Sequence, residues 1–217
     1  MQPPITTLRS INIDWYRWSG DTSYKLLDGN IGYVTLEFIK KAEIPILKDL
    51  FKNTKGIIID IRNYPSTFVP FLLGPYFVSS PTPFVKFTKF NIDNPGEFPF
   101  TDPLIIPKGE TVYKGKLVVL INENSQSQSE YTTMAFKAGD CTTVLGSTTA
   151  GADGTVSYIY LPGGLLTRIS GTGIYYPDGT QTQRVGIIPD VVVRPTIKGI
   201  EQGKDEVLEK AIEIIND

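Results

Sequence analysis

The chain contains no histidine. In 217 residues that absence excludes a Ser-His-Asp triad built within the chain and a zinc site with histidine ligands. Cysteine is nearly absent: Cys141 alone can form neither an intrachain disulfide nor a cysteine-rich metal site. It reads as a small buried side chain, because nothing near it in the sequence would lower its thiol pKa. No apolar run approaches the roughly 20 residues of a membrane-spanning helix. No excess of one charge stands out either. Lys and Arg number 21 against 23 Asp and Glu, and without a basic stripe nucleic acid is not an expected partner. The glycine-rich stretch 151–154 lacks the Gly-Lys-Ser/Thr ending of a phosphate cradle, so no cofactor and no metal is expected. Met1-Gln2-Pro3-Pro4 is not a charged segment followed by an apolar one, and the start reads as a cut into a longer protein.

What is present is an ordinary globular composition, 41% apolar and 20% charged, enough for one large domain or two small ones. Residues 1–28 are mixed and polar, with Trp15, Tyr16 and Trp18 close together. They read as a strand or wrap, the tail of an upstream domain. The core is expected over 29–217, with a Pro/aromatic insertion at about 64–115 that forms either a substrate wall or ordinary packing. Strands are expected at 31–38, 56–61, 84–90, 116–121 and 142–145, and a hairpin at 155–170. A helix near 43–52 has Pro45 close to its start, where proline is tolerated. Others are expected at 68–77, 129–138 and 205–215. Alternating strands and helices give an α/β class, and strand–helix–strand over 116–145 predicts parallel pairing with a right-handed crossover.

One junction holds most of the chemistry. Asn122 to Glu130 follows an apolar run and precedes a helical pattern, and it places Ser125, Ser127 and Ser129 at alternate positions. Ser127 and Glu130 fit a capping box, with Ser127 as N-cap and Glu130 at N3. The same place suits a nucleophile, since unpaired N–H groups and the helix dipole favour an oxyanion there. On these residues alone both readings stay open.

Four separated stretches resemble one family. They are Gly56 to Pro65 (GIIIDIRNYP), Leu117 to Glu130, Val144 to Gly151 (VLGSTTAG), and Tyr176-Pro177-Asp178-Gly179 followed by Gly186-Ile187-Ile188-Pro189-Asp190. In order and spacing they resemble the S41 serine peptidases, which include the C-terminal processing proteases, and most of all the versions found in Bacteroides-type bacteria. The resemblance implies an α/β fold of the ClpP/crotonase type, a spiral of β-β-α units. It also implies a peptide or unfolded protein as partner and a periplasmic or otherwise extracytoplasmic setting.

Carried over residue by residue, it implies Ser127 as nucleophile, with Ser125 and Ser129 as alternatives, and the Gln128 N–H as an oxyanion donor. The family lysine that accepts the proton falls at Ala152, so it is missing. The branch with a histidine base has that slot at Thr35, and its glutamate at Gln183. The family glycine pair linked to the oxyanion hole is Ser66-Thr67 here. The proton acceptor is therefore sought among Asp153, Lys137 and Arg184, beyond the chain, or nowhere, in which case the domain binds peptides without cutting them. Gly151 and Arg62 are further substrate-binding candidates. Arg62 offers a bidentate fork to a peptide carboxylate, but pairing with Asp60 or with a helix end is the favoured reading.

Overall fold

The computed structural model describes residues 22–217. Residues 1–21, with Trp15, Tyr16 and Trp18, lie outside the described residues. In chain order the strands are β1 (Tyr24–Leu27), β2 (Ile31–Thr35), β3 (Gly56–Asp60), β4 (Thr82–Phe87), β5 (Leu104–Ile106), β6 (Lys116–Ile121), β7 (Thr142–Gly146), β8 (Val156–Leu161), β9 (Leu165–Ser170), β10 (Ile174–Tyr175) and β11 (Val191–Val192). The helices are α1 (Ile44–Phe51), α2 (Pro70–Leu73), α3 (Gln128–Lys137), α4 (Ile197–Glu201) and α5 (Glu206–Asn216).

A six-stranded sheet in the order β1-β2-β3-β6-β7-β11 carries the fold. Only β1 runs antiparallel to its neighbour; every other pairing is parallel. Strands β3 and β6 are β-branched and apolar nearly throughout, as a parallel sheet covered on both faces requires. One face carries Val34, Ile57, Ile59, Val119 and Ile121 against α1, α3 and the aromatic segment, with Phe51 and Phe136 fully buried. The other carries Ile31, Tyr33, Ile58, Val118 and Leu120 against the Val207–Ala211–Ile215 stripe of α5. That stripe repeats at four residues, one face of a helix. The result is the expected mixed α/β class with a mainly parallel sheet.

Several expectations need correction. In the apolar stretch 185–193 only β11 is a strand, because Gly186 has positive φ and Pro189 has no N–H to give a ladder. The short elements β5, β10 and α4 had no readable period. The aromatic segment divides. Val69, Leu73, Tyr76, Phe77, Phe84 and Val85 are core, whereas Tyr64, Phe68, Phe71 and Phe90 are exposed. Cys141 is exposed, not buried, because it sits in the turn between α3 and β7. No helix among the described residues is long and apolar enough to cross a membrane.

Candidate active site

Strand β6 hands over to α3 through a turn that strains one residue. Ser127 has φ 52° and ψ −116°. The Ser129 N–H donates to the Gln126 carbonyl at 3.0 Å, which closes a turn of type II′ geometry with Ser127 at its first central position. A non-glycine residue there costs of order 1–3 kcal/mol. A strained serine between a strand and a helix is how a nucleophile elbow lifts its hydroxyl clear of the backbone.

The three serines of the junction are used differently. Ser125 is fully buried; its Oγ donates to the Ile61 carbonyl at 2.8 Å and accepts the Asn122 N–H. Ser129 is fully buried and donates to the Asn63 carbonyl at 2.8 Å. Both tie the junction to the end of β3. Ser127 alone is half-buried, and its hydroxyl is not donated to a backbone carbonyl and closes no full cap hydrogen bond. The capping box pairs Ser127 with Glu130. The Ser127 N–H donates to Glu130 Oε2 at 3.1 Å, and the Ser127 hydroxyl lies opposite the Glu130 N–H without closing a full cap hydrogen bond. The backbone N–H of Gln128, first residue of α3, is without a partner among the described residues. It belongs to the orphan donors of a helix start, where an anion is favoured.

Glu130 does more than cap. Its carboxyl group is fully buried. Oε2 accepts the N–H groups of Ser127 (3.1 Å) and Ala152 (2.9 Å), while Oε1 accepts the Gly151 N–H (2.8 Å) and the Thr149 hydroxyl. Sharing one oxygen holds the nitrogens of Ser127 and Ala152 within about 6 Å of each other. The glutamate thus clamps the loop after β7 onto the serine turn. Sequence reasoning found the cap and missed the clamp, because its partners lie about twenty residues on, in a segment without periodicity. Two glycines let that loop pass. Gly146 has φ 133°, and a Cβ there would run into the Ile121 carbonyl. Gly151 has φ 65°, and a Cβ would meet the backbone of Arg184 and Gly186 at about 3.0 Å.

Asp153 directly follows Ala152, the last residue that the clamp holds. Asp153 is 7% exposed; Oδ1 accepts the Gly154 N–H at 2.7 Å, and Oδ2 is buried with no partner. Burial raises its pKa to about 7, against the Gly154 hydrogen bond and with help from Glu130. Tyr131, one turn into α3, is pushed up to about 12 by burial and by Asp153. Gln183 Nε2 donates to the Asp153 carbonyl at 2.8 Å, so the residue in the glutamate slot braces this loop.

The structure does not bring the other candidates together at Ser127. Lys137 pairs with Asp190 at 2.9 Å from the last residue of α3, nine residues or about 14 Å along the helix from Gln128. Arg62 is buried against Asp60 and against Asp205, the N-cap of α5, with a fork on each. It has no hydrogen-bonding fork left for a peptide carboxylate, and the structural alternative is the one realised. The Ser66 N–H donates to the Leu36 carbonyl and its hydroxyl to Ile39, so it supplies no oxyanion donor. Thr67 is tied by its hydroxyl to the Ile39 carbonyl and by its own carbonyl to the Gln128 side chain. The N–H groups of Gly151 and Ala152 are held by Glu130, and the Ala152 side chain is exposed. Thr35 is buried, and its hydroxyl accepts from Asn63 Nδ2 at 2.8 Å. Arg184 is exposed with φ 65°. No cluster of three or more His, Cys, Asp or Glu among the described residues could hold a metal ion.

Comparison with known proteins places this geometry in context. A family model described as peptidase family S41 matches residues 82–193. Among solved structures, a putative peptidase from Parabacteroides merdae is similar at 24% identity and TM-score 0.76, over 96% of this chain and 68% of its own. Mature CPAF in complex with lactacystin shares 17% identity at TM-score 0.68, over 90% of this chain and 54% of its own. The photosystem II D1 C-terminal processing protease shares 20% identity at TM-score 0.54, over 79% of this chain and 45% of its own. The chain therefore spans between about half and two thirds of these proteins. No curated protein matches the sequence.

Proposed function

The chain belongs to peptidase family S41, and from that premise we propose that it is a serine-type peptidase domain that cleaves peptides or protein C-termini with Ser127 as nucleophile. One observation carries the reading. Of three serines at the strand-to-helix turn, only Ser127 has a hydroxyl that is not donated to a backbone carbonyl, and it stands on a positive-φ turn beside the unpaired Gln128 N–H. The Ser127 Oγ attacks the scissile carbonyl, and the Gln128 N–H, at the positive end of α3, receives the oxyanion. The substrate is a peptide or unfolded chain, and the setting is extracytoplasmic, as for the family.

A fluorophosphonate probe tests this. Intact-mass labelling of the wild type that disappears in Ser127→Ala supports the assignment; cleavage of unstructured peptides that survives the substitution overturns it. Ala152, in the lysine slot, favours a second reading, a domain that binds peptides without cutting them. That reading expects measurable peptide affinity with no turnover from about pH 6 to 10.

A further inference from the structure

We infer that Asp153 is the proton acceptor for Ser127, through one bridging water, in place of the lysine that the sequence lacks. The inference rests on the peptidase reading above and deepens it. Three features of the structure carry it. The Asp153 carboxyl group is more than nine-tenths buried, and Oδ2 has no hydrogen-bond partner among the described residues. A buried unpartnered carboxyl oxygen costs free energy that folding alone gives no reason to retain. Its loop is also clamped to the nucleophile turn, since Glu130 Oε2 holds the N–H of Ser127 and that of Ala152, the residue before Asp153. Finally, the other candidate bases are engaged or unsuited. Lys137 is in an ion pair far along α3, Glu130 already accepts four donors, and Arg184 remains charged.

The groups around Asp153 agree with this role. Glu130 and Tyr131 face it from α3, and neutral Gln183 braces its backbone from the segment leading to Gly186. No cation pairs with it among the described residues. Burial and the Glu130 charge move its titration close to neutrality, where a general base combines basicity with the ionised form.

In the acylation step the Ser127 Oγ–carbonyl carbon bond forms while the Oγ proton passes to the bridging water, which gives one of its own to Asp153 Oδ2. The carbon–nitrogen bond then breaks, and the proton returns along the same path to the leaving amine. In deacylation the oxygen of the attacking water bonds to the acyl carbon as Asp153 takes its proton; the carbon–Oγ bond then breaks and the proton passes to the Ser127 Oγ.

The experiment measures the rate of fluorophosphonate labelling against pH, for wild type, Asp153→Asn and Asp153→Glu. In the wild type the rate should rise about tenfold per pH unit up to about 7 and then level off. In Asp153→Asn it should fall by about 10²–10⁴-fold and lose that inflection, with partial recovery in Asp153→Glu. Equal labelling of wild type and Asp153→Asn, with the same profile, overturns this inference and leaves Ser127 as nucleophile. A wild-type profile without an inflection between about pH 6 and 8 does the same even if the variants fail to fold. A wild type that never labels removes the peptidase reading, and this inference with it.

Discussion

Asp60 and Asp153 are equally hidden, 5% and 7% exposed, and both lie at or beyond the C-terminal ends of parallel strands, yet their surroundings differ. Asp60 ends β3 inside a complete network. Tyr33 donates to one oxygen, Arg62 bridges both, and Arg62 reaches on to Asp205 at the start of α5. Asp153 has one backbone N–H and one bare oxygen. The first arrangement answers every charge and docks a helix. The second keeps a carboxyl group poorly solvated and close to its titration point, in the loop that Glu130 clamps to the serine turn. Where burial is compensated the residues hold the fold together; where it is not, the proposed proton transfer gives the arrangement a use.

The comparison can be broken most directly at Arg62. Removing it as Arg62→Ala strands Asp60 without its cation and unfastens the N-cap of α5. Breaking a buried pair from one side costs about 3–5 kcal/mol. Urea denaturation should show that loss, while labelling of Ser127 per folded molecule stays unchanged. A stability change below about 1 kcal/mol would mean that the network is weakly coupled to the fold.

At Asp153 the sign reverses. Its folded-state pKa, about 7, lies above the ordinary carboxyl value of 3.8, so folding favours the protonated form. Stability from this group is full below about pH 4 and is lost as pH rises through about 7. Asp153→Asn fixes the neutral form. It should therefore stabilise the protein by up to about 4 kcal/mol at pH 8 and by little at pH 4, with activity lost at both. Urea midpoints of the two proteins across that range decide it. A variant less stable than wild type at pH 8 would show that the bare oxygen is satisfied in solution.

These two sites also mark how far the sequence could be read. The β6–α3–β7 unit was legible nearly to the residue. A β-branched run, a capping pair and a helical stripe are local signals, and they coincide at Lys116 to Gly146. Ser127 became the favoured nucleophile candidate only through the resemblance, since a cap and a nucleophile look alike in sequence. The partners of Arg62 were half legible. Asp60 is two residues away, but Asp205 is 143 residues on and has no pattern of its own. The hairpin β8–β9 was placed correctly, yet nothing in its alternation showed that all twelve strand residues would be exposed. Glu130 was seen at N3, while its hold on Thr149, Gly151 and Ala152 depends on a loop whose path follows from tertiary packing.

The smallest effects separate the serines themselves. Ser125→Ala removes a fully buried hydroxyl that bonds on both sides and leaves the Ile61 carbonyl short of a donor, for a loss of about 1–2 kcal/mol. Ser127→Ala removes a hydroxyl that closes no full cap hydrogen bond, so its stability should stay within about 0.5 kcal/mol of wild type although labelling vanishes. Ser127→Gly goes further. Glycine reaches φ 52° without a Cβ clash, and the strain it relieves outweighs its greater freedom in the unfolded chain. It should therefore match the wild type or exceed it by up to about 1 kcal/mol in the urea midpoint. An inert but more stable Ser127→Gly would show that the serine persists at a cost to folding. A Ser127→Gly destabilised as much as Ser125→Ala would instead make Ser127 an ordinary cap, and the asymmetry among the three serines would lose its meaning.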